Sequence, residues 1–213
     1  MAVHPGPGAV MPTTLSLAHP DHAPAAGLPE VEPVDLLSRA SPFDSPDWMF
    51  EPEYDGCRGL LYSSARGCEI RPLQDLRFDG CAELRERVAR VIGAREAILD
   101  GVIVSLDPKG KPSLRDLLRG RGFLAFAAID LLWLEGRDLR ALPLAERKAR
   151  LAVLLPLDTG PLYKVFTLEE HGRALFETAR KLDLAGIVAK RKRDAYGPGT
   201  VWYRVRNEAH RPA

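Results

Sequence analysis

Four charged residues crowd one short stretch of this sequence, Phe50-Glu51-Pro52-Glu53-Tyr54-Asp55-Gly56-Cys57-Arg58. Apolar residues flank it, Trp48-Met49-Phe50 before and Gly59-Leu60-Leu61-Tyr62 after. A charged side chain turned into a cleft is costly without a partner. Arg58, together with Lys190 far downstream, is therefore a candidate for holding an anion, set against ordinary surface salt bridges. Asp55-Gly56 is also a strong turn signal between two strand-like arms, so the same residues describe a surface hairpin with a solvated acidic tip. A second charged group lies near the C-terminus: Lys190-Arg191-Lys192-Arg193, then Arg204, Arg206 and Arg211, with Trp202 and Tyr203 among them. Cations interleaved with aromatics suit a surface that tracks phosphates, and they suit a solvated strand end equally well.

The totals narrow the classes. With 30 basic and 29 acidic residues the net charge is +1, so any nucleic-acid binding must use a local patch, not the global field. Three cysteines, Cys57, Cys68 and Cys81, form no Cys-x-x-Cys pair and argue for a reducing compartment without zinc or disulfides. No apolar run reaches membrane-spanning length and no signal peptide is recognisable, so the expectation is a cytoplasmic protein without membrane contact.

The elements that must position these residues read as follows. Residues 1–30, rich in Pro, Gly, Ala and His, are expected to be a disordered leader, and the spacing of His4, His19 and His22 fits no metal-binding face. A single domain is expected over 31–207, followed by a short tail over 208–213. Strands are expected at Gly59–Ser63, Cys68–Leu73, Ala97–Leu106 (interrupted at Asp100-Gly101), the apolar run Phe123–Leu134, Lys164–Phe166, Gly186–Arg191 and Val201–Arg206. Helices are expected from an Asp79 cap through Val91, from Ser113, over Leu144–Leu155, and from a Thr167/Glu170 capping box through about Leu182. Many short strands with few βαβ units make an α+β domain with antiparallel sheets flanked by helices.

Five blocks in order then resemble the ATP-dependent DNA ligases. Glu51, Asp55, Gly56 and Arg58 match the nucleotidyltransferase motif Glu-x-Lys-x-Asp-Gly-x-Arg, with Glu53 at the position of the adenylated lysine. Leu99-Asp100-Gly101-Val102-Ile103-Val104 is similar to Leu-Asp-Gly-Glu-Ile-Val, and Ile129-Asp130-Leu131-Leu132-Trp133 to Phe-Asp-Leu-Leu-Trp. Leu184-Ala185-Gly186-Ile187-Val188-Ala189-Lys190 is similar to Leu-Glu-Gly-Ile-Val-Ala-Lys, and Trp202-Tyr203-Arg204-Val205-Arg206 to Trp-x-Lys-x-Lys. The resemblance implies an ATP-grasp-like ligase nucleotidyltransferase domain, of the short stand-alone type without an OB domain.

It also implies a chemistry: a lysine attacks the α-phosphate of ATP, and AMP passes from it to a 5′-phosphate on nicked DNA. That needs an uncharged amine, a carboxylate-held divalent metal, an aromatic plate for adenine, and cations around the phosphates. Here Glu53 stands for the nucleophile, Val102 and Ala185 for two carboxylates, Ile129 for the aromatic plate, and Arg204 and Arg206 for two lysines. Glu51, Asp55, Arg58, Ile129, Lys190, Arg204 and Arg206 are the expected nucleotide-binding positions. No catalytic residue is intact, and no metal ligand set is assigned. Two charges at about 4 Å interact by roughly 4 kcal/mol at an effective dielectric near 20, so Glu53 would repel a triphosphate. The expectation is a pseudoenzyme of DNA repair and recombination that does not self-adenylate. ATP and Mg would come only by family resemblance, and nicked or duplex DNA would be met through the C-terminal basic region, with a protein partner unassigned. The alternative is an active ligase using another lysine or pre-adenylated DNA.

Overall fold

The computed structural model describes residues 27–74, 80–94, 96–156 and 160–211. Two sheets form the frame. One has strand order β1-β11-β10-β2-β9, built from β1 (Asp35–Ser38), β2 (Ser45–Glu53), β9 (Leu168–Glu170), β10 (Gly186–Arg191) and β11 (Val201–Arg206). The other runs β4-β3-β5-β6-β7, from β3 (Cys57–Ser64), β4 (Gly67–Pro72), β5 (Ala97–Leu106), β6 (Phe123–Leu134) and β7 (Arg137–Asp138). Its sixth strand, β8 (Leu162–Lys164), joins β6. Pairing is antiparallel except for β1 with β11 and β8 with β6. The α+β expectation with antiparallel sheets holds.

The helices close the outer faces. α1 (Cys81–Val91) buries Leu84 and Val88, and α3 (Leu144–Leu154) buries Leu151, on the second sheet. α4 (Gly172–Lys181) lays Leu175 and Ala179 on the first sheet, against Phe50, Ile187 and Val205. The short α2 (Leu114–Leu118) is capped by the Ser113 hydroxyl, which accepts from the Asp116 amide. Between the sheets, Leu60, Ile98 and Leu132 of one meet Trp202 and Val188 of the other.

Several expectations need correction. Glu51 to Arg58 is not a hairpin: β2 and β3 lie in different sheets, so Tyr54-Asp55-Gly56 crosses the gap between them. Gly56 is required by close approach, since a Cβ there would lie 2.3 Å from the Ile103 carbonyl oxygen. Asp100-Gly101 does not interrupt β5; the strand continues through it with a register shift against β6, a bulge. A Cβ at Gly101 would fall 2.3 Å from the Phe126 ring. Gly101→Ala is therefore expected to destabilise the domain by about 1–3 kcal/mol through overpacking, read as a lowered melting temperature.

The Thr167/Glu170 capping box does not form. β9 occupies that stretch, α4 starts after His171 without a side-chain cap, and the Thr167 hydroxyl turns instead to Glu51. Asp79, the expected cap of α1, lies outside the described residues, and Gly80, in the left-handed region at φ 93°, precedes that helix. The expected strand over Lys164–Phe166 is observed at Leu162–Lys164. Leu28 is buried beside Val31 and Val34, and Glu30 pairs with Arg71 at 2.9 Å, so packing begins ahead of residue 31.

Candidate functional site

Glu51 and Glu53 alternate along β2 so that both face the gap between the sheets, as period-2 strand geometry requires. There they line a cavity of about 110 Å³ with Arg58, Val102, Ile129, Val188, Lys190, Trp202 and Arg204. Of the expected nucleotide-binding positions, the structure brings together Glu51, Arg58, Ile129, Lys190 and Arg204 at this cavity; Asp55 and Arg206 are not among its lining residues. Val102 and Ile129 supply apolar wall where the family resemblance places a carboxylate and an aromatic plate.

Every charge lining the cavity has a protein partner. Glu53 Oε1 meets Arg204 Nε at 2.5 Å, an ion pair joining β2 to β11 across β10. Burial pushes the Glu53 carboxyl above its ordinary value, and Arg204 and Arg206 only partly offset this. Its second oxygen, Oε2, is buried without a hydrogen-bond partner. Arg58 grips Asp100 with two bonds, 3.1 and 2.7 Å, donates to the Val34 carbonyl at 2.8 Å, and stacks on Trp202. The Tyr196 hydroxyl donates to the same Asp100 oxygen at 2.8 Å. Although burial opposes the charged guanidinium, Asp100 outweighs it and raises the Arg58 pKa. The anion that Arg58 was expected to seek is thus Asp100.

Lys190 is likewise spoken for. Its ammonium donates to Glu51 Oε2 at 2.6 Å and to the Ile129 carbonyl at 3.3 Å, and lies 3.8 Å above the Trp202 ring. Burial depresses its pKa to about 8, with Glu51 opposing and Lys148 adding to the fall. Glu51 serves two lysines: Lys148, on α3, pairs with its other oxygen. Burial raises the Glu51 carboxyl, but Lys148 and Lys190 more than reverse that, leaving it below the usual value. Behind them Asp130 of β6 accepts two bonds from Arg147, at 3.0 and 2.8 Å, with both side chains buried. Arg147 and Lys148 were missed in the sequence because a helical pattern marks which face is buried, not which distant carboxylate a long side chain will reach.

Asp55 turns to the C-terminal segment. His210 Nε2 lies 2.8 Å from Asp55, and its Nδ1 lies 3.1 Å from Asp183, which also holds Lys111 at 2.7 Å. Burial disfavours the imidazolium, but the two carboxylates outweigh it and raise the His210 pKa. A raised histidine contributes stability that is complete below about pH 6.5 and is lost as pH rises through the folded value. Amide protection factors around residues 207–211, with intrinsic base catalysis divided out, are therefore expected to fall from pH 6 to pH 8, and this fall should disappear in His210→Gln. The basic run is also largely engaged: Lys192 pairs with Glu169 at 2.5 Å, Arg191 covers Trp48 and Arg204 holds Glu53, so the cations expected to face DNA do not form one open stripe.

This sequence and fold have counterparts among known proteins. The multifunctional non-homologous end joining protein LigD of Pseudomonas aeruginosa is 34% identical over 177 residues, 79% of this chain. That of Mycolicibacterium smegmatis is 30% identical over 159 residues, 74% of this chain. Among solved structures, mycobacterial DNA ligase D complexed with ATP and MES superposes with a TM-score of 0.64 at 28% identity, covering 82% of this chain and 60% of that one. The ligase domain of Mycobacterium tuberculosis LigD gives 0.66 at 26% identity, covering 82% and 59%. This chain belongs with the adenylation domains of ATP-dependent DNA ligases. It spans 21% of the length of the two end-joining relatives. No family profile matches it. The bacteriophage T7 ligase, solved with ATP, shares the fold at 15% identity and a TM-score of 0.58. Among the described residues no helix is long and apolar enough to cross a membrane.

Proposed function

We propose that this ligase-type adenylation domain takes part in DNA-end repair without charging itself with AMP. The observation that carries the reading is the ion pair between Glu53 and Arg204 in the inter-sheet cavity. A carboxylate there presents no amine to the α-phosphate, and it consumes a cation that would otherwise face phosphate. About 110 Å³ is also well short of the 300–1,000 Å³ usual for ligand pockets, so a nucleotide must part the sheets before entering. The donor set does not suit the magnesium of the family reaction. Val102 and Ala185 bring no oxygen ligands, and among the described residues no group of three or more His, Cys, Asp or Glu gathers to hold a metal.

The test is incubation with ATP labelled at the α-phosphate and Mg²⁺ or Mn²⁺. The chain is expected to stay unlabelled, and so is Glu53→Lys, since the new lysine faces Arg204 without the carboxylates lost at 102 and 185. Glu53→Lys combined with Val102→Glu and Ala185→Glu is the variant expected to gain label. A stable, acid-labile label on the unmodified chain would overturn the proposal.

A second reading rests on Lys190. A buried lysine with its pKa near 8 offers more free amine at neutral pH than an ordinary lysine, and it lines the same cavity. An active nucleotidyltransferase using this residue would label the unmodified chain, and Lys190→Ala would abolish the label. Action on pre-adenylated DNA would instead appear as sealing of an adenylated nick without added ATP. DNA contact itself is carried by kinship with the end-joining ligases, and loss of nicked-DNA binding in Arg193→Ala/Arg206→Ala would place it on the C-terminal strands.

A further inference from the structure

Glu51 lines the narrow cavity, while Lys148, its ion-pair partner, lines a second groove of about 630 Å³. The wall between the two spaces is therefore the Glu51–Lys148 contact, with Tyr54 shared by both. The second groove has walls from α3, from the segment after β8 and from β2, including Met49, Tyr163, Phe166 and Thr167. Its size falls within the range of ligand pockets, and its aromatic lining suits a flat apolar body.

The charge at its inner end does not balance. Arg147 and Asp130 neutralise each other, whereas Glu51 alone faces both Lys148 and Lys190. One positive charge is left over among side chains that are nine-tenths or more buried. Lys148 Nζ is itself buried, and Glu51 engages only one of the three donors that its ammonium carries. Thr167 leans on the same Glu51 oxygen, and its hydroxyl borders the groove. The remaining charged residues of the lining are Lys164 and Glu169, and Glu169 is held by Lys192 at 2.5 Å. Tyr163 stays neutral, since burial pushes its hydroxyl upward. A buried cation with open donors at the end of an aromatic-lined groove is matched by an anion that brings its own apolar body.

We propose that this groove binds a small organic anion, one negatively charged group on a flat apolar ring, with the charged group against Lys148 and the ring between Tyr54, Tyr163 and Phe166. The site is separate from the cavity proposed to have lost adenylation, and it stands whether or not that loss is real.

Titration of the full chain with benzoate, phenyl phosphate and benzamide, followed by amide chemical shifts, tests it. At least one of the two anions is expected to bind tenfold or more tighter than neutral benzamide, with shifts at Lys148, Tyr163 and Thr167. The preference is expected to vanish in Lys148→Met and to persist in Lys148→Arg. The unmodified chain supplies a check that needs no variant: as pH rises past 8, Lys190 discharges and Glu51 becomes matched by Lys148 alone, so anion affinity should fall by about tenfold by pH 9.5. Equal affinity for benzoate, phenyl phosphate and benzamide, no binding of any of them, or anion affinity unchanged between pH 7 and 9.5 would each overturn the proposal.

Discussion

Arg147→Ala is expected to destabilise the domain by about 3–5 kcal/mol, the usual cost of stripping one partner from a buried ion pair. Urea denaturation at neutral pH is the measurement. Arg147 is the bulkiest fully buried side chain of the described residues, and its guanidinium meets four oxygens from three directions. Two belong to Asp130, one is the Leu142 carbonyl, and one is the Asp194 carbonyl at 3.0 Å. Alanine would leave the Asp130 carboxylate in the core with the Leu131 amide, at 2.8 Å, as its remaining hydrogen bond. Arg147→Lys should recover only part of the loss, because an ammonium keeps the charge but cannot repeat the two-pronged contact. Arg140→Ala is the contrast. It removes an exposed pair with Asp138 and should cost under about 1 kcal/mol. Equal losses for Arg147→Ala and Arg140→Ala would refute the assignment of Arg147 as the pin that fixes α3 to β6.

Lys148 follows Arg147 on the same helix, so loosening that pin should also move the residue at the inner end of the second groove. Anion affinity in Arg147→Lys is a way to detect this without losing the fold.

The parts of this architecture that were legible in the sequence are those decided locally. The apolar run Phe123–Leu134 could hardly be anything but a buried strand, and β6 is central in its sheet. Ser113 announces α2 because a cap acts within three residues of itself. What could not be read depends on partners far along the chain. Asp55-Gly56 carries a hairpin's local signature, yet β3 pairs with β5 and β2 with β10, and only the sheet assembly decides that. Thr167 and Glu170 have capping-box spacing, but Thr167 is drawn to Glu51 instead. The same limit applies to the site. The ordered family blocks put seven residues around one space; the structure gathers Glu51, Arg58, Ile129, Lys190 and Arg204 there and leaves Asp55 and Arg206 off its lining. Their spacing gave no hint that Arg58 would close on Asp100, Arg204 on Glu53 and Lys190 on Glu51. Ion pairing among residues drawn from five strands is settled by burial, because a charge leaving water must find an opposite one.

Glu51→Gln should be nearly as damaging as Arg147→Ala, and its cost should depend on pH. The substitution keeps shape while removing the one carboxylate that faces both Lys190 and Lys148. At pH 7 it leaves two buried ammonium groups without a counter-ion, and a loss of about 3–5 kcal/mol is expected. The unmodified domain sets the signs. The folded Glu51 pKa lies below its unfolded value, so its contribution is present above about pH 4.5 and is lost as pH falls through the folded value. Lys190 runs the other way. Its folded pKa, about 8, lies below the ordinary 10.5, so it imposes a penalty that is full below pH 8 and is relieved as pH climbs toward 10.5. Without Glu51 the lysine should discharge at lower pH still, and the gap between Glu51→Gln and the unmodified domain should narrow as alkali removes its charge. Lys148→Met in the Glu51→Gln background should return much of the lost stability, because one buried cation is easier to discharge than two. Two losses that simply add, measured by a double-mutant cycle, would mean that Glu51 and Lys148 do not share a charge balance. The leftover positive charge on which anion binding depends would then have no basis.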